Sequence, residues 1–107
     1  MAFANVEELF AGLKGRFRAD KAQGDKATLS IILSDENYWI TVDNGTMDAG
    51  KGNAPGDPDL ILRAKADDFV KIMNGEMNAM TAFMQGKVKA EKNMGLAVKL
   101  MGWFGMG

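Results

Sequence analysis

The stretch AFMQGKVKAEKNMGLAVKL, residues 82–100, contains three secondary-structure signals in succession. Together with Met80 just before it, Phe83 and Met84 recur at helical spacing, and Gly86 is a typical residue at a helix C-terminus. Residues 87–92 alternate charged and apolar side chains, which predicts a strand with one wet face. A last helix is predicted from Asn93 by a second apolar stripe, formed by Leu96, Ala97, Leu100, Met101 and Phe104.

The first half of the chain predicts one helix and two strands. Asn5 is a suitable N-cap, and apolar residues recur after it at steps of three and four until Phe17. Apolar and polar residues then alternate twice, with the period of half-buried strands. The predicted segments are a helix over 5–19, a polar linker over 20–26, a strand over 27–34, a turn over 35–37 and a strand over 38–42.

The middle of the chain supplies the remaining strands and one more helix. Asn44-Gly45 is a typical two-residue hairpin turn and predicts a short third strand ending near Gly50. A fourth strand over 59–66 precedes a helix that opens at Asp67-Asp68 and ends at Asn74-Gly75. The order α-β-β-β-β-α-α-β-α indicates an α+β fold, with helices over one face of a mostly antiparallel sheet.

Composition excludes several classes of function. The 107 residues contain no histidine and no cysteine, which removes Ser-His-Asp triads, thiolate nucleophiles and zinc knuckles. The formal net charge of -1 gives no general attraction to polyanions, so we expect no nucleic-acid partner. The length fits a single domain over 1–107. We expect neither a metal nor a cofactor, and no catalytic residue stands out.

Two apparent motifs do not have the pattern of the ligand-binding loops that they resemble. Residues 45–52 match the first seven positions of a phosphate-binding loop, but Gly52 replaces the hydroxyl residue and no helix signal follows. Asp48, Asp57 and Asp59 do not have the spacing of a calcium loop, and Pro58 restricts the geometry further. Both sets are interpreted as turn and loop residues.

Methionine is the unusual feature of the composition. Seven of the nine methionines lie in the last 35 residues: Met73, Met77, Met80, Met84, Met94, Met101 and Met106. Thioether side chains are flexible and polarizable, and fill irregular apolar space or line adaptable surfaces. With the neighbouring leucines and aromatic residues, they exceed what short helices need to cover one sheet. They either fill a core completely or line a cavity.

The stretch 82–100 resembles the signature of the sterol carrier protein 2 (SCP2) family. The preceding DLILRAKADDFVKIMNGEMN, residues 59–78, is similar to the strand and helix that precede it in that family. The resemblance implies a five-stranded, mainly antiparallel sheet covered by helices that enclose a hydrophobic tunnel. It also implies non-enzymatic binding of a fatty acid, fatty acyl-CoA, phospholipid or sterol-like ligand.

Carried over to this chain, the resemblance implies a set of ligand-binding residues. Gln85 is a candidate polar contact at the tunnel mouth, and Trp103 and Phe104 lie on the terminal helix expected to close it. The other expected lining residues are Phe69, Ile72, Met73, Met77, Met80, Phe83, Met84, Leu96, Leu100 and Met101. One departure from the family is Lys92, which stands where a glycine is common.

The sequence therefore predicts a lipid carrier rather than an enzyme, with a lipid or acyl chain as its partner. Residues 61–107 carry seven basic and four acidic side chains, so transient membrane contact through the C-terminal helix is also expected. A cytoplasmic location is expected, because the first ten residues lack a signal-peptide pattern and the last three are not the Ser-Lys-Leu peroxisomal address. One alternative is an accessory or scaffold domain that assists a lipid- or quinone-modifying enzyme. Another is an enzyme that relies on a carboxylate or tyrosine alone.

Overall fold

A computed structural model of the protein describes residues 3–105; Met106 of the methionine cluster lies outside the described residues. The described chain contains four α-helices, five strands and a short 3-10 turn over Ala19–Ala22. The helices are α1 (Val6–Arg16), α2 (Ala66–Met73), α3 (Ala79–Met84) and α4 (Met94–Trp103). The strands are β1 (Lys26–Leu33), β2 (Glu36–Asp43), β3 (Thr46–Lys51), β4 (Leu60–Ala64) and β5 (Val88–Lys92).

The five strands form one sheet in the order β3-β2-β1-β4-β5. Three neighbouring pairs are antiparallel, and the central pair β1 and β4 is parallel. The parallel pair arises because the loop after β3 returns the chain past β2 and β1 before β4 begins. Asp59 fixes that start, since its backbone N–H donates to Thr28 O and its side chain accepts from Thr28 N. The predicted mainly antiparallel sheet is confirmed, with this one parallel pair.

The strand register places the apolar side chains on one face of the sheet. Leu29 of β1 lies opposite Ile40 of β2 and Leu60 of β4, and Ile31 lies opposite Leu62. The buried strand residues on this face are Ala27, Leu29, Ile31, Leu33, Tyr38, Ile40, Val42, Leu60 and Leu62. Buried residues of all the α-helices complete the same core cluster. The predicted cover of helices over one face is thus confirmed.

The two hairpins differ in how well the sequence predicts them. Asn44-Gly45 forms the predicted turn, with φ values of 47° and 85°, and joins Asp43 to Thr46. Residues 45–52 therefore belong to a turn and an edge strand, not to a phosphate-binding loop. The first hairpin turns at Ser34-Asp35, with φ values of 49° and 70°, rather than over 35–37 as predicted. Serine and aspartate adopt this left-handed backbone less readily than Asn-Gly, so the sequence signal is weak.

Helix α1 ends at Arg16, three residues earlier than predicted. Asn5 caps its start as predicted, since its side chain accepts from Glu8 N. Phe17 is extended and its ring packs against Phe104, with 5.5 Å between the ring centroids. Arg18 N then donates to Trp103 O at 2.6 Å. These contacts with the end of the chain replace the last helical turn and lead into the 3-10 turn, which the sequence did not predict.

Strand β5 ends on an unusual backbone conformation. Lys92 has a φ of 75°, in the left-handed region that costs a residue with a Cβ about 1–2 kcal/mol. The strained residue connects β5 to α4, whose N-cap Asn93 accepts from Gly95 N. This geometry explains why a glycine would suit the position better than a lysine.

We expect Lys92→Gly to leave the free energy of unfolding unchanged or raise it by up to about 1 kcal/mol, because it removes the left-handed strain. The gain is limited by glycine's greater freedom when unfolded and by loss of the bond from Lys92 Nζ to Pro58 O. Lys89→Gly is the matched control on the same strand, without positive φ, and should cost about 1 kcal/mol. Urea unfolding measures the free energy of unfolding of both variants. An equal loss of stability in Lys92→Gly and Lys89→Gly would contradict the inferred strain at Lys92.

Candidate functional site

An apolar cavity of about 190 Å³ lies between the helices and the β4–β5 half of the sheet. Strands β4 and β5 contribute its floor, while α2, α3 and α4 form its walls. The twelve lining residues are Leu62, Phe69, Ile72, Ala79, Met80, Phe83, Val88, Met94, Ala97, Val98, Leu100 and Met101. All of these side chains are apolar, so the site can exclude water and accept a hydrocarbon.

Helix geometry explains how the walls are formed. Phe69 and Ile72 are three residues apart on α2, so they lie on the same face of that helix. Met80 and Phe83 of α3 repeat the same spacing, and Asn78 caps this short helix by accepting from Thr81 N. Because α3 has only six residues, it covers a small part of the sheet edge. The remaining space forms the cavity.

The structure brings together six of the thirteen residues that the resemblance implied. Phe69, Ile72, Met80, Phe83, Leu100 and Met101 line the cavity. Met73 is buried in the core, and Met77 and Leu96 are partly buried against it, but none of the three is a lining residue. Met84 is 79% exposed and Gln85 is also exposed; neither lines the cavity.

Trp103 and Phe104 are core residues at the far end of α4 and do not line the cavity. Trp103 is only 1% exposed, and its Nε1 donates to Asp25 Oδ2 at 3.2 Å. Lys99 Nζ donates to the other oxygen of Asp25 at 2.8 Å. Together with the bond from Arg18 N to Trp103 O, these contacts fix the C-terminal end of α4 to the segment between α1 and β1. The two aromatic residues thus anchor the helix.

Six lining residues were not in the predicted set: Leu62, Ala79, Val88, Met94, Ala97 and Val98. A strand signal was available for two of them, because Leu62 and Val88 are on the apolar face of alternating strands. The predicted set contained no residue of a strand. Met94 and Val98 are four residues apart at the start of α4 and face the opening of the cavity, where both stay exposed.

Within residues 3–105, four groups have a shifted pKa, and none of them lines the cavity. The hydrogen bond from Lys99 lowers the pKa of the Asp25 carboxyl, and Trp103 reinforces it. Glu36 and Lys51 form a 2.8 Å ion pair that lowers the pKa of Glu36 and raises the pKa of Lys51. Burial raises the pKa of Tyr38. The groups with a shifted pKa therefore all lie outside the cavity.

A five-stranded mixed sheet with helices over one face, and an apolar cavity beneath those helices, define an α+β domain with room for an apolar group. The model of the SCP-2 sterol transfer family matches residues 6–105, and the chain belongs to that family. Its fold is similar to sterol carrier protein 2 from Yarrowia lipolytica in the apo form, with a TM-score of 0.75 and 26% identity, covering 91% of this chain and 87% of that one.

Longer proteins contain similar regions. Hydroxysteroid dehydrogenase-like protein 2 of Xenopus tropicalis is 29% identical over 98 residues, which cover 89% of this chain and 24% of that protein. The sec-alkylsulfatase Pisa1 from Pseudomonas sp. has a TM-score of 0.77 and 26% identity, covering 92% of this chain and 16% of that one. The chain thus spans about a quarter of the length of the dehydrogenase-like relatives that it matches.

Within residues 3–105, no three carboxylates come together in a way that could hold a metal ion. None of the helices in the same range is both long and apolar enough to span a membrane.

The contacts of Asp25 predict a pH-dependent anchor for α4. Because the folded pKa of Asp25 is lowered, its stabilising effect is present above the unfolded pKa and is lost as pH falls through the folded value. Asp25→Asn should therefore be less stable than the natural chain near neutral pH, and the difference should shrink below about pH 4. Urea unfolding at a series of pH values, followed by tryptophan fluorescence, measures this difference.

Asp20→Asn is the matched control, since Asp20 is an exposed carboxylate in the adjacent 3-10 turn and makes no ion pair within residues 3–105. Its stability should track that of the natural chain across the series. A stability deficit of Asp25→Asn that stayed constant down to pH 3 would show that the carboxylate does not act through its charge.

Proposed function

We propose that this chain is a non-enzymatic lipid-binding and lipid-transfer domain that takes up an acyl chain in the apolar cavity. The observation that carries the proposal is the uniformly apolar lining of a cavity in a member of the SCP-2 sterol transfer family. None of the twelve lining side chains can act as an acid, a base or a nucleophile. A ligand held there is bound and released unchanged.

The size of the cavity limits how a lipid can enter. At about 190 Å³ it exceeds the roughly 150 Å³ that takes up benzene, but is smaller than the about 300 Å³ of common ligand pockets. A long acyl chain must therefore displace wall side chains or extend through the opening. Met80, Met94 and Met101 form part of the wall, and their unbranched side chains can adapt to such a chain. The hydrophobic tunnel belongs to this ligand-bound state in our proposal.

The energetics suit a carrier. Each buried methylene contributes about 0.8 kcal/mol, so a chain of several methylenes offsets the cost of association. A bilayer offers nearly the same gain per methylene. Exchange between the cavity and a membrane is then close to neutral, and the ligand can leave as well as enter.

The relatives favour a second candidate, an accessory domain that presents a lipid to a catalytic partner. This chain matches about a quarter of a dehydrogenase-like protein and about a sixth of an alkylsulfatase, so similar domains occur beside catalytic regions. This candidate would be favoured over a free carrier by two results together. The domain alone would take up no acyl chain, and it would bind one only in the presence of a purified partner enzyme.

Filling the cavity tests the lipid site. Ala97 is a half-buried lining residue of α4, and Ala97→Phe would place a ring in the space that an acyl chain needs. We expect this variant to bind a fluorescent fatty acid at least about tenfold more weakly. Ala11→Phe on the exposed face of α1 is the control and should bind as the natural chain does. Circular dichroism checks that both variants fold.

Native mass spectrometry of the natural chain mixed with a fatty acid gives an independent result, because it needs no variant. The proposal predicts a one-to-one complex that Ala97→Phe reduces. Equal probe binding by Ala97→Phe and the natural chain, or no complex with any acyl ligand, would contradict it.

A further inference from the structure

The large exposed apolar side chains of the structure cluster at the opening of the cavity. Within residues 3–105, five large apolar residues are exposed, and we call them the mouth patch: Met80, Phe83, Met84, Met94 and Val98. Four of them line the cavity. The fifth, Met84, is one helical turn from Met80 and is 79% exposed. Apolar groups in water at one opening indicate a surface that something covers.

Basic groups border this patch. A shallow groove shares Phe83 and Val88 with the cavity, and its other walls include Arg63, Lys89 and Glu91. Arg63 pairs with Glu91 at 3.1 Å, so these two charges neutralise each other. Lys89, and Lys87 just after α3, are exposed and form no ion pair with any residue in 3–105. Residues 79–105 contain four lysines and one glutamate.

This arrangement selects among the surfaces that could cover the patch. A second copy of the chain would bring the same lysines against each other, which is unfavourable. An uncharged surface would use the apolar residues but gain nothing from the lysines. An anionic bilayer satisfies both, because apolar side chains enter the acyl boundary while lysines contact the headgroups.

We propose that the mouth patch docks on an anionic lipid bilayer, so that the cavity opens directly into the acyl region of the membrane. The proposal extends the proposed lipid carriage to a membrane contact made by α3 and the N-terminal half of α4. Trp103 and Phe104, at the opposite end of α4, stay in the core and make no part of this surface.

Vesicle cosedimentation tests the docking. The natural chain should bind vesicles of phosphatidylcholine and phosphatidylglycerol more strongly than vesicles of phosphatidylcholine alone, and high salt should weaken the binding. Met84→Asp should reduce binding to the anionic vesicles by about tenfold or more. Lys87→Gln should reduce it about fivefold, as expected for one lysine near an anionic surface.

Two variants on α1 are matched controls, since α1 packs near β3 at the other edge of the sheet. Ala11→Asp adds the same charge as Met84→Asp at an exposed helical position, and Lys14→Gln removes the same charge as Lys87→Gln. Both should bind vesicles as the natural chain does. Equal losses in the α1 and mouth-patch variants, or equal binding to both kinds of vesicle, would overturn the proposal.

The two proposals can fail separately. Met84 does not line the cavity, so Met84→Asp should keep the affinity for a fluorescent fatty acid in solution. Ala97→Phe should lose that affinity and still bind anionic vesicles. Analytical ultracentrifugation tests whether a second copy of the chain covers the patch instead. If the natural chain is a dimer, and Met84→Asp makes it a monomer without changing vesicle binding, the patch joins two copies. That result would overturn the docking.

Discussion

The apolar face of the sheet has to be covered along its full width, because apolar surface left in water is unfavourable. Over β1 and β2 the cover is complete, and Leu29, Ile31 and Ile40 are at most 1% exposed. Over β5 it is not, since Val88 and Ala90 are only partly buried beneath the short helix α3 and the start of α4. The cavity lies where the cover is incomplete, so the same packing that stabilises the fold also creates the site.

Helix α4 connects stability with function because its two ends have different surroundings. Trp103, bonded to Asp25 and Arg18, is fixed in the core. Met94 and Val98 at the other end stand in solvent beside the cavity. An empty apolar cavity costs free energy roughly in proportion to its volume, so a ligand that fills it stabilises the chain. In our proposal, the anchored C-terminal end preserves the fold while the N-terminal end, beside the cavity, contacts the ligand.

Local patterns in the sequence predicted the elements well where a strong signal was present. Asn44-Gly45, Gly86 and the cap Asn5 lie where their chemistry predicts, and α4 begins directly after Asn93 as predicted. Long-range contacts explain the differences: Phe17 leaves its helix to pack on Phe104, a residue 87 positions later, which no local pattern reveals. The same applies to the site. The family resemblance implied Phe69, Ile72, Met80 and Phe83, which line the cavity, but the exposure of Met84 and the burial of Met73 and Trp103 depend on how the helices meet the sheet.

The central claim is that an acyl chain enters the cavity, and methyl NMR of the methionines tests it most directly. Met80, Met94 and Met101 line the cavity, whereas Met47 on β3 and Met73 in the core do not. Addition of a fatty acid to protein labelled with 13C at the methionine methyls should shift the three lining signals strongly and saturably. The Met47 and Met73 signals should move little. Shifts spread equally over all five signals, or confined to Met47 and Met73, would contradict the account.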